Sequence, residues 1–256
     1  MAQIFHPASN VVSRLGLLFL LVIGPGATLF IASMITRFPF GTKVGVPLPQ
    51  PIPFSHEHHN VELGIDCRYC HGGVEKASWS PLPATEVCMS CHSQIWTNSP
   101  LLEPARQSYA KNKPIAWNNV NNVPEFVYFP HNIHINRGIS CNNCHGPIQK
   151  MMMVYKGQSF FMVWCLNCHR QPEKFIQPRE NVWKLYADIQ KFGYTVDSTA
   201  KDENDPKRQG LTPRQRALSA GEYYENSPAE EKVANDLIVQ YKVKKKQLAD
   251  CSVCHR

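Results

Sequence analysis

The 256-residue sequence has no cysteine outside one repeated pattern, no basic–aromatic stretch of the kind that grips nucleic acid, and only 14 glycines beside 20 prolines. The missing basic–aromatic stretch matters because Lys and Arg outnumber Asp and Glu by 27 to 20, a formal charge of +7. Without it, the basic excess is no evidence for a nucleic-acid partner. The proline content favours irregular chain over long helices and sheets.

The pattern that takes up every cysteine is Cys-x-x-Cys-His. It occurs at Cys67–His71, Cys88–His92, Cys141–His145, Cys165–His169 and Cys251–His255, using all ten cysteines and five of the eleven histidines. A thioredoxin-like redox pair would occur once and would need no histidine. Cys67/Cys70 with Cys88/Cys91 has a spacing open to a zinc site, but zinc leaves the histidine after each pair unexplained. A disulfide inside Cys-x-x-Cys closes too small a loop to stabilise much.

Covalent haem attachment uses all three residues. Cys67, Cys70, Cys88, Cys91, Cys141, Cys144, Cys165, Cys168, Cys251 and Cys254 supply thioethers to porphyrin vinyl groups. His71, His92, His145, His169 and His255 reach the iron as proximal ligands. The expectation is therefore five covalently bound haem c groups. Each ferric haem adds about −1 through its propionates, which brings the oxidised holoprotein to roughly +2. The expected fold is a class III-like multihaem cytochrome c, mostly short α-helices and irregular loops around haems, with one N-terminal transmembrane helix.

That helix is read from Leu15 to Ile35, 21 uncharged and mostly apolar residues between Arg14 and Arg37. About 20 such residues cross a bilayer. A cleaved signal peptide has a shorter apolar run, so Ala32-Ser33 is a weak cleavage signal and the segment reads as an uncleaved anchor. Gly24-Pro25-Gly26 predicts a kink and close approach of a neighbouring helix. Flanking charge does not orient the span. Haem attachment outside the energised membrane does, placing the N-terminus in the cytoplasm and the haem domain on the periplasmic side. His6 then lies on the wrong side to serve a haem.

Electron-transfer haems normally take two axial ligands. Outside the motifs the remaining candidates are His56, His58, His59, His131 and His134. Phe54-Ser55-His56-Glu57-His58-His59 precedes the first two haem motifs, and Phe129-Pro130-His131-Asn132-Ile133-His134 precedes the next two. Both read Phe-x-His-x-x-His. The histidines repeat at an offset of 75 residues, and the following motifs at 74 and 77, an internal duplication. On a helical turn, residues three apart project from one side at different heights, so His56 with His59, and His131 with His134, can serve two irons each. His58 has Ile133 as its counterpart and is read as a bystander. Four distal histidines leave one haem short. A methionine sulfur is the usual substitute, with Met151 and Met162 as leading candidates and the unduplicated haem at Cys251–His255 as its natural recipient.

The expected organisation is an anchor (1–37), a Pro-rich linker (38–53), two-haem units (54–125 and 126–180) and an extension with the fifth haem (181–256). The Pro47-x-Pro49-x-Pro51-x-Pro53 run favours an extended strut. Residues 201–216 read as a polar surface loop. Ser227-Pro228-Ala229-Glu230 is a capping box opening a helix to about residue 246.

The chain resembles the membrane-anchored pentahaem cytochrome c subunit of alternative complex III, a bacterial quinol:electron-acceptor oxidoreductase. The resemblance rests on Gln50-Pro51-Ile52-Pro53-Phe54-Ser55-His56, Leu63-Gly64-Ile65-Asp66-Cys67-Arg68-Tyr69-Cys70-His71 and Val87-Cys88-Met89-Ser90-Cys91-His92. It continues through Asn98-Ser99-Pro100-Leu101-Leu102-Glu103-Pro104, Val127-Tyr128-Phe129-Pro130-His131, Met162-Val163-Trp164-Cys165 and Cys168-His169-Arg170. It covers residues 45–180, the anchor and the terminal motif. It implies an electron-carrier subunit, not itself an enzyme, in the bacterial inner (cell) membrane. Its partners would be an iron–sulfur or quinol-oxidising module and a monohaem cytochrome c or terminal oxidase. Met151-Met152-Met153 departs from the family pattern, which has one methionine there. The alternative is a stand-alone membrane-anchored multihaem quinol dehydrogenase feeding a periplasmic reductase. Such proteins carry a haem motif almost directly after the anchor, whereas 31 residues separate Ile35 from Cys67 here. A multihaem reductase would need an open iron, and no Cys-x-x-Cys-Lys variant occurs.

Overall fold

A computed structural model describes residues 5–6, 8–193 and 210–255. Met1–Val44 and Gly45–Arg256 are separate compact units. In the first, a helix over Ser9–Arg37 is long and apolar enough to cross a membrane, and none of its residues is buried. Pro25 has no N–H to give the preceding turn. The ladder accordingly widens to a π-helical turn over Phe19–Ile23, closed by Gly24 N–H donating to Phe19 O. The expected irregularity at Gly24-Pro25-Gly26 thus takes the form of a re-registered hydrogen-bond ladder. Thr28 Oγ1 donates to Gly24 O at 2.9 Å, satisfying a carbonyl just beyond it.

The second unit is built of short helices joined by irregular chain. Helices form at Cys67–Cys70, Thr85–His92, Glu103–Lys111, His131–Asn136, Cys141–His145, Met162–Arg170, Asn181–Phe192, Pro213–Ala220, Pro228–Gln240 and Cys251–Cys254. Among the described residues no β-strand of any length forms; Pro47 and Tyr155 make an isolated antiparallel bridge. The Pro-rich run is extended but not free. Leu48 N–H donates to Val154 O, and Gln50 and Pro49 exchange hydrogen bonds with Asn118.

The side-chain core is small and sits mostly where sequence patterning said least. Leu185, Tyr186, Ile189, Leu211 and Leu218 cluster together, with Cys67 and Cys141 packed against them. A second cluster holds Val74, Ile135 and Val182, and a third Ile176, Ala234 and Leu237. The expected surface loop at 201–216 is corrected where it is described. Leu211 is fully buried, and Thr212 opens the Pro213–Ala220 helix with a capping box to Gln215. Residues 201–209 lie outside the described residues. The capping box at Ser227 and Glu230 forms as expected, but the helix stops at Gln240. Lys242 turns left-handed (φ 53°), so that Val243 folds back onto the Ile176 cluster and its N–H reaches Ile238 O.

Candidate haem centres

Each distal pair sits on a short helical turn held by the other repeat. In the second repeat, His131 N–H donates to Ser78 O and Asn132 N–H to Ala77 O, just past the motif ending at His71. In the first, His56 N–H and Glu57 N–H both donate to Met151 O, just past the motif ending at His145. The two repeats therefore dock reciprocally, each orienting the other's histidine turn.

Four motif imidazoles face four non-motif imidazoles. Ring centres are 6.5 Å apart for His56–His71, 6.2 Å for His59–His92, 6.3 Å for His131–His145 and 6.2 Å for His134–His169. A metal–imidazole bond is about 2 Å and the nitrogen lies roughly 1.2 Å from its ring centre, so two imidazoles on opposite sides of one ion have centres about 6.3 Å apart. All four separations fit that geometry. The pairing also follows the duplication: in each repeat the first distal histidine takes the first motif and the second takes the second.

Most outer ring nitrogens are tied off. Nδ1 lies at hydrogen-bond distance from a backbone carbonyl in seven cases: His71 to Pro81, His92 to Ile95, His169 to Leu248 and His255 to Phe126 among motif residues; His59 to Ser55, His131 to Ser78 and His134 to Pro130 among distal ones. An Nδ1–H bonded to carbonyl leaves Nε2 unprotonated for a metal. His56 Nδ1 is buried without a hydrogen-bond partner among the described residues. Burial pushes His56, His134 and His145 down to about 4, and also lowers His59 and His131, so these rings stay neutral, as ligation requires.

Phenylalanine fixes the distal rings. Phe54 stacks on His59 at 4.4 Å and meets His56 edge-on at 5.0 Å; Phe129 repeats this with His134 at 4.4 Å and His131 at 4.9 Å. His58 instead bonds Glu62 at 2.6 Å and faces Trp96, away from any motif histidine.

All ten cysteines are unbridged, and among the described residues no three His, Cys, Asp or Glu side chains converge as a metal cluster. Burial raises the thiols of Cys67, Cys70, Cys88, Cys141, Cys144, Cys165, Cys168 and Cys254, pushing Cys144 and Cys168 up to about 12. A thioether carries no proton and is at home in such surroundings. Exposed Tyr69, Trp96, Phe126, Tyr128, Met162 and Val163 flank the motifs, apolar surface of the kind a porphyrin face covers. The residues present fit haem c.

The thiols also reveal which motifs adjoin. Cys70 lies near enough to Cys88, Cys67 to Cys141, Cys144 to Cys168 and Cys165 to Cys254 to feel its charge. Direct contacts agree: Tyr69 and Ser90 hydroxyls lie 2.8 Å apart, Cys67 and Cys141 pack on one cluster, and His169 Nδ1 lies 2.8 Å from Leu248 O. The attachment segments thus follow one another in space as 88–92, 67–71, 141–145, 165–169 and 251–255.

His255 has Phe126 against its ring and, among the described residues, no facing imidazole. Met151 is buried, with its methyl beside Gly146, whereas Met162 is exposed at the start of the helix that carries Cys165. Gly157 crosses directly over the His145–Gly146 peptide, where a Cβ would come within 2.5 Å of backbone.

The fold and these centres define a multihaem cytochrome c, the class whose covalently attached haems carry electrons. Residues 127–203 match the family described as cytochrome c7 and related cytochrome c. The chain is also similar to the multihaem cytochrome c subunit of menaquinone reductase from Nitratidesulfovibrio vulgaris, 38% identical over 99 residues. That match covers 38% of this chain and 45% of the relative, so the chain spans less than half of the relative's length.

Sequence patterning left several contributors unseen. Asn60 Nδ2 lies 3.9 Å from Cys67 Sγ, and Tyr186 packs beside Cys67 and Cys141. The carbonyl partners of the imidazoles have no side-chain signature. The Thr212-Pro213-Arg214-Gln215 capping box did have one, the same as at Ser227.

Proposed function

We propose that this chain is the membrane-anchored pentahaem electron-relay subunit of a quinol-linked respiratory or photosynthetic complex of the alternative complex III class. The observation that carries this reading is the facing of four motif histidines by four distal histidines. Such pairs would hold a haem iron from both sides, which suits relay and would leave no open iron for a reductase at those centres. Bound haem supplies reversible one-electron chemistry at iron; the chain's residues fix ligands, order the attachment segments and exclude water. Cys88–His92 and Cys251–His255 lie at the two ends of that order, the natural places for electrons to enter and leave. The Ser9–Arg37 helix would anchor the subunit, with residues 45–256 on the periplasmic side of the inner membrane. Residues 54–125 and 126–180 would be the two-haem units, and 181–256 the extension with the fifth haem.

The similarity to a menaquinone reductase subunit favours a second reading, in which the same relay runs towards quinone rather than away from it. Isolation in mild detergent separates these. Co-purification with partner subunits and quinol oxidation supports the first reading, and quinone reduction by the same assembly supports the second. A chain isolated alone that oxidises quinol would overturn both and restore the stand-alone dehydrogenase. Haem staining and the pyridine haemochrome spectrum should give five covalent haems per chain.

For the fifth centre we favour Met162 over Met151, because the Met162–Arg170 helix also carries Cys165, the neighbour of Cys254. Met162→Leu should lower the potential of one haem, since thioether ligation favours ferrous iron. Met151→Leu should leave all potentials in place, and the reverse result would exchange the two assignments.

A further inference from the structure

Tyr186 lies on the Asn181–Phe192 helix, outside both repeats, and is 5% exposed. Its hydroxyl donates to Asn142 Oδ1 at 2.6 Å. Asn142 is an interior residue of the Cys141–His145 motif and is itself fully buried. Its Nδ2 donates to Gln149 Oε1 at 2.7 Å and to Leu218 O at 2.9 Å, and Gln149 Nε2 donates to Ser219 O at 3.0 Å. One amide thus ties the haem-attachment turn to two helices of the C-terminal extension. The ring of Tyr186 belongs to the cluster against which both Cys67 and Cys141 pack. Those two cysteines mark where the first repeat meets the second. The same helix reaches the first repeat again through Gln190 Nε2, which donates to Asn60 O at 2.9 Å.

We propose that Tyr186, through Asn142, is a positioning residue for electron transfer: it holds the Cys141–His145 attachment segment in register with the Cys67–His71 segment and keeps water from their junction. This rests on haem attachment at both motifs, as proposed above. A phenol in a greasy pocket could serve stability alone, but this hydroxyl is spent on a residue inside the attachment motif. Loosening that turn should admit more water beside the half-buried His145, which favours ferric iron and lowers the potential there.

The test is Tyr186→Phe in the full chain within its native assembly, with Tyr241→Phe as control. Tyr241 also uses its hydroxyl, accepting from Arg179 N–H at 3.1 Å, but touches no attachment motif. Tyr186→Phe should retain five haems, lower the potential of one haem, and slow equilibration between the two repeats severalfold after photochemical electron injection. Tyr241→Phe should change neither potential nor rate. If Tyr186→Phe alters only the melting temperature, the role is structural and the proposal fails. A count below five in the unsubstituted protein would instead refute the haem assignment. Should Tyr186→Phe assemble poorly, Gln149→Leu frees the other side of the same amide; unchanged potentials in that variant would equally overturn the proposal.

Discussion

Phe54 and Phe129 each touch two imidazoles that face different motif histidines. Aromatic contacts of this kind are worth about 0.5–1.5 kcal/mol beyond burial, enough to fix a ring's rotation without deciding whether the chain folds. Phe54→Leu should therefore keep every haem but alter the low-spin EPR signals of the two centres holding His56 and His59. Phe129→Leu should alter the other two. A change in all four signals from either variant would show that the rings are held by something else. The facing histidines were legible because Phe-x-His-x-x-His occurs twice ahead of paired motifs, and each lies opposite the motif imidazole that the duplication implies. The groups that set their tautomers were not, because Ser55, Ser78, Leu248 and Phe126 act through carbonyls that every residue possesses.

At the level of elements, helix boundaries in the second unit were readable where a side chain closes the turn. Ser227 and Glu230 announced their helix; Thr212 and Gln215 carried the same signal inside a stretch whose polar composition concealed it. Leu211, one residue before the cap, is the anchor that makes this a packed element rather than a loop. Thr212→Ala should cost about 1 kcal/mol, as loss of a helix cap does, and lower the melting temperature while leaving haem content unchanged. The Asn181–Phe192 helix had a weaker signature. Val182, Leu185, Tyr186 and Ile189 do fall on one face, but a periodicity argument cannot say that the face meets motif cysteines brought there from residues 67 and 141.

Over the whole molecule, residues 45–256 behave as one body because the largest side-chain cluster is shared. Cys67 from the first repeat, Cys141 from the second and Leu211 and Leu218 from the extension meet in it. Leu211→Ala should therefore destabilise the entire unit by about 2–5 kcal/mol, the usual range for emptying a buried leucine site. Circular dichroism at helical wavelengths and Soret absorbance should then fall in a single coincident transition. Two separated transitions would mean that the repeats unfold independently. The internal duplication implies two similar halves; it could not say that each one's histidine turn hangs on the backbone of the other.

That mutual completion bears on how the protein is made. On the proposed topology the N-terminus stays in the cytoplasm and the segment after the anchor crosses the membrane first, so Cys67 and Cys70 would be available for thioether formation early. The turn bearing His56, however, hangs on Met151 O, a group that arrives about 80 residues of translocation later. The first haem to be attached would consequently spend its early life with its proposed distal ligand, His56, unseated until the second half has emerged. Interrupting export between residues 92 and 151 should yield a chain with haem bound covalently but high-spin, a biogenesis intermediate rather than a smaller cytochrome.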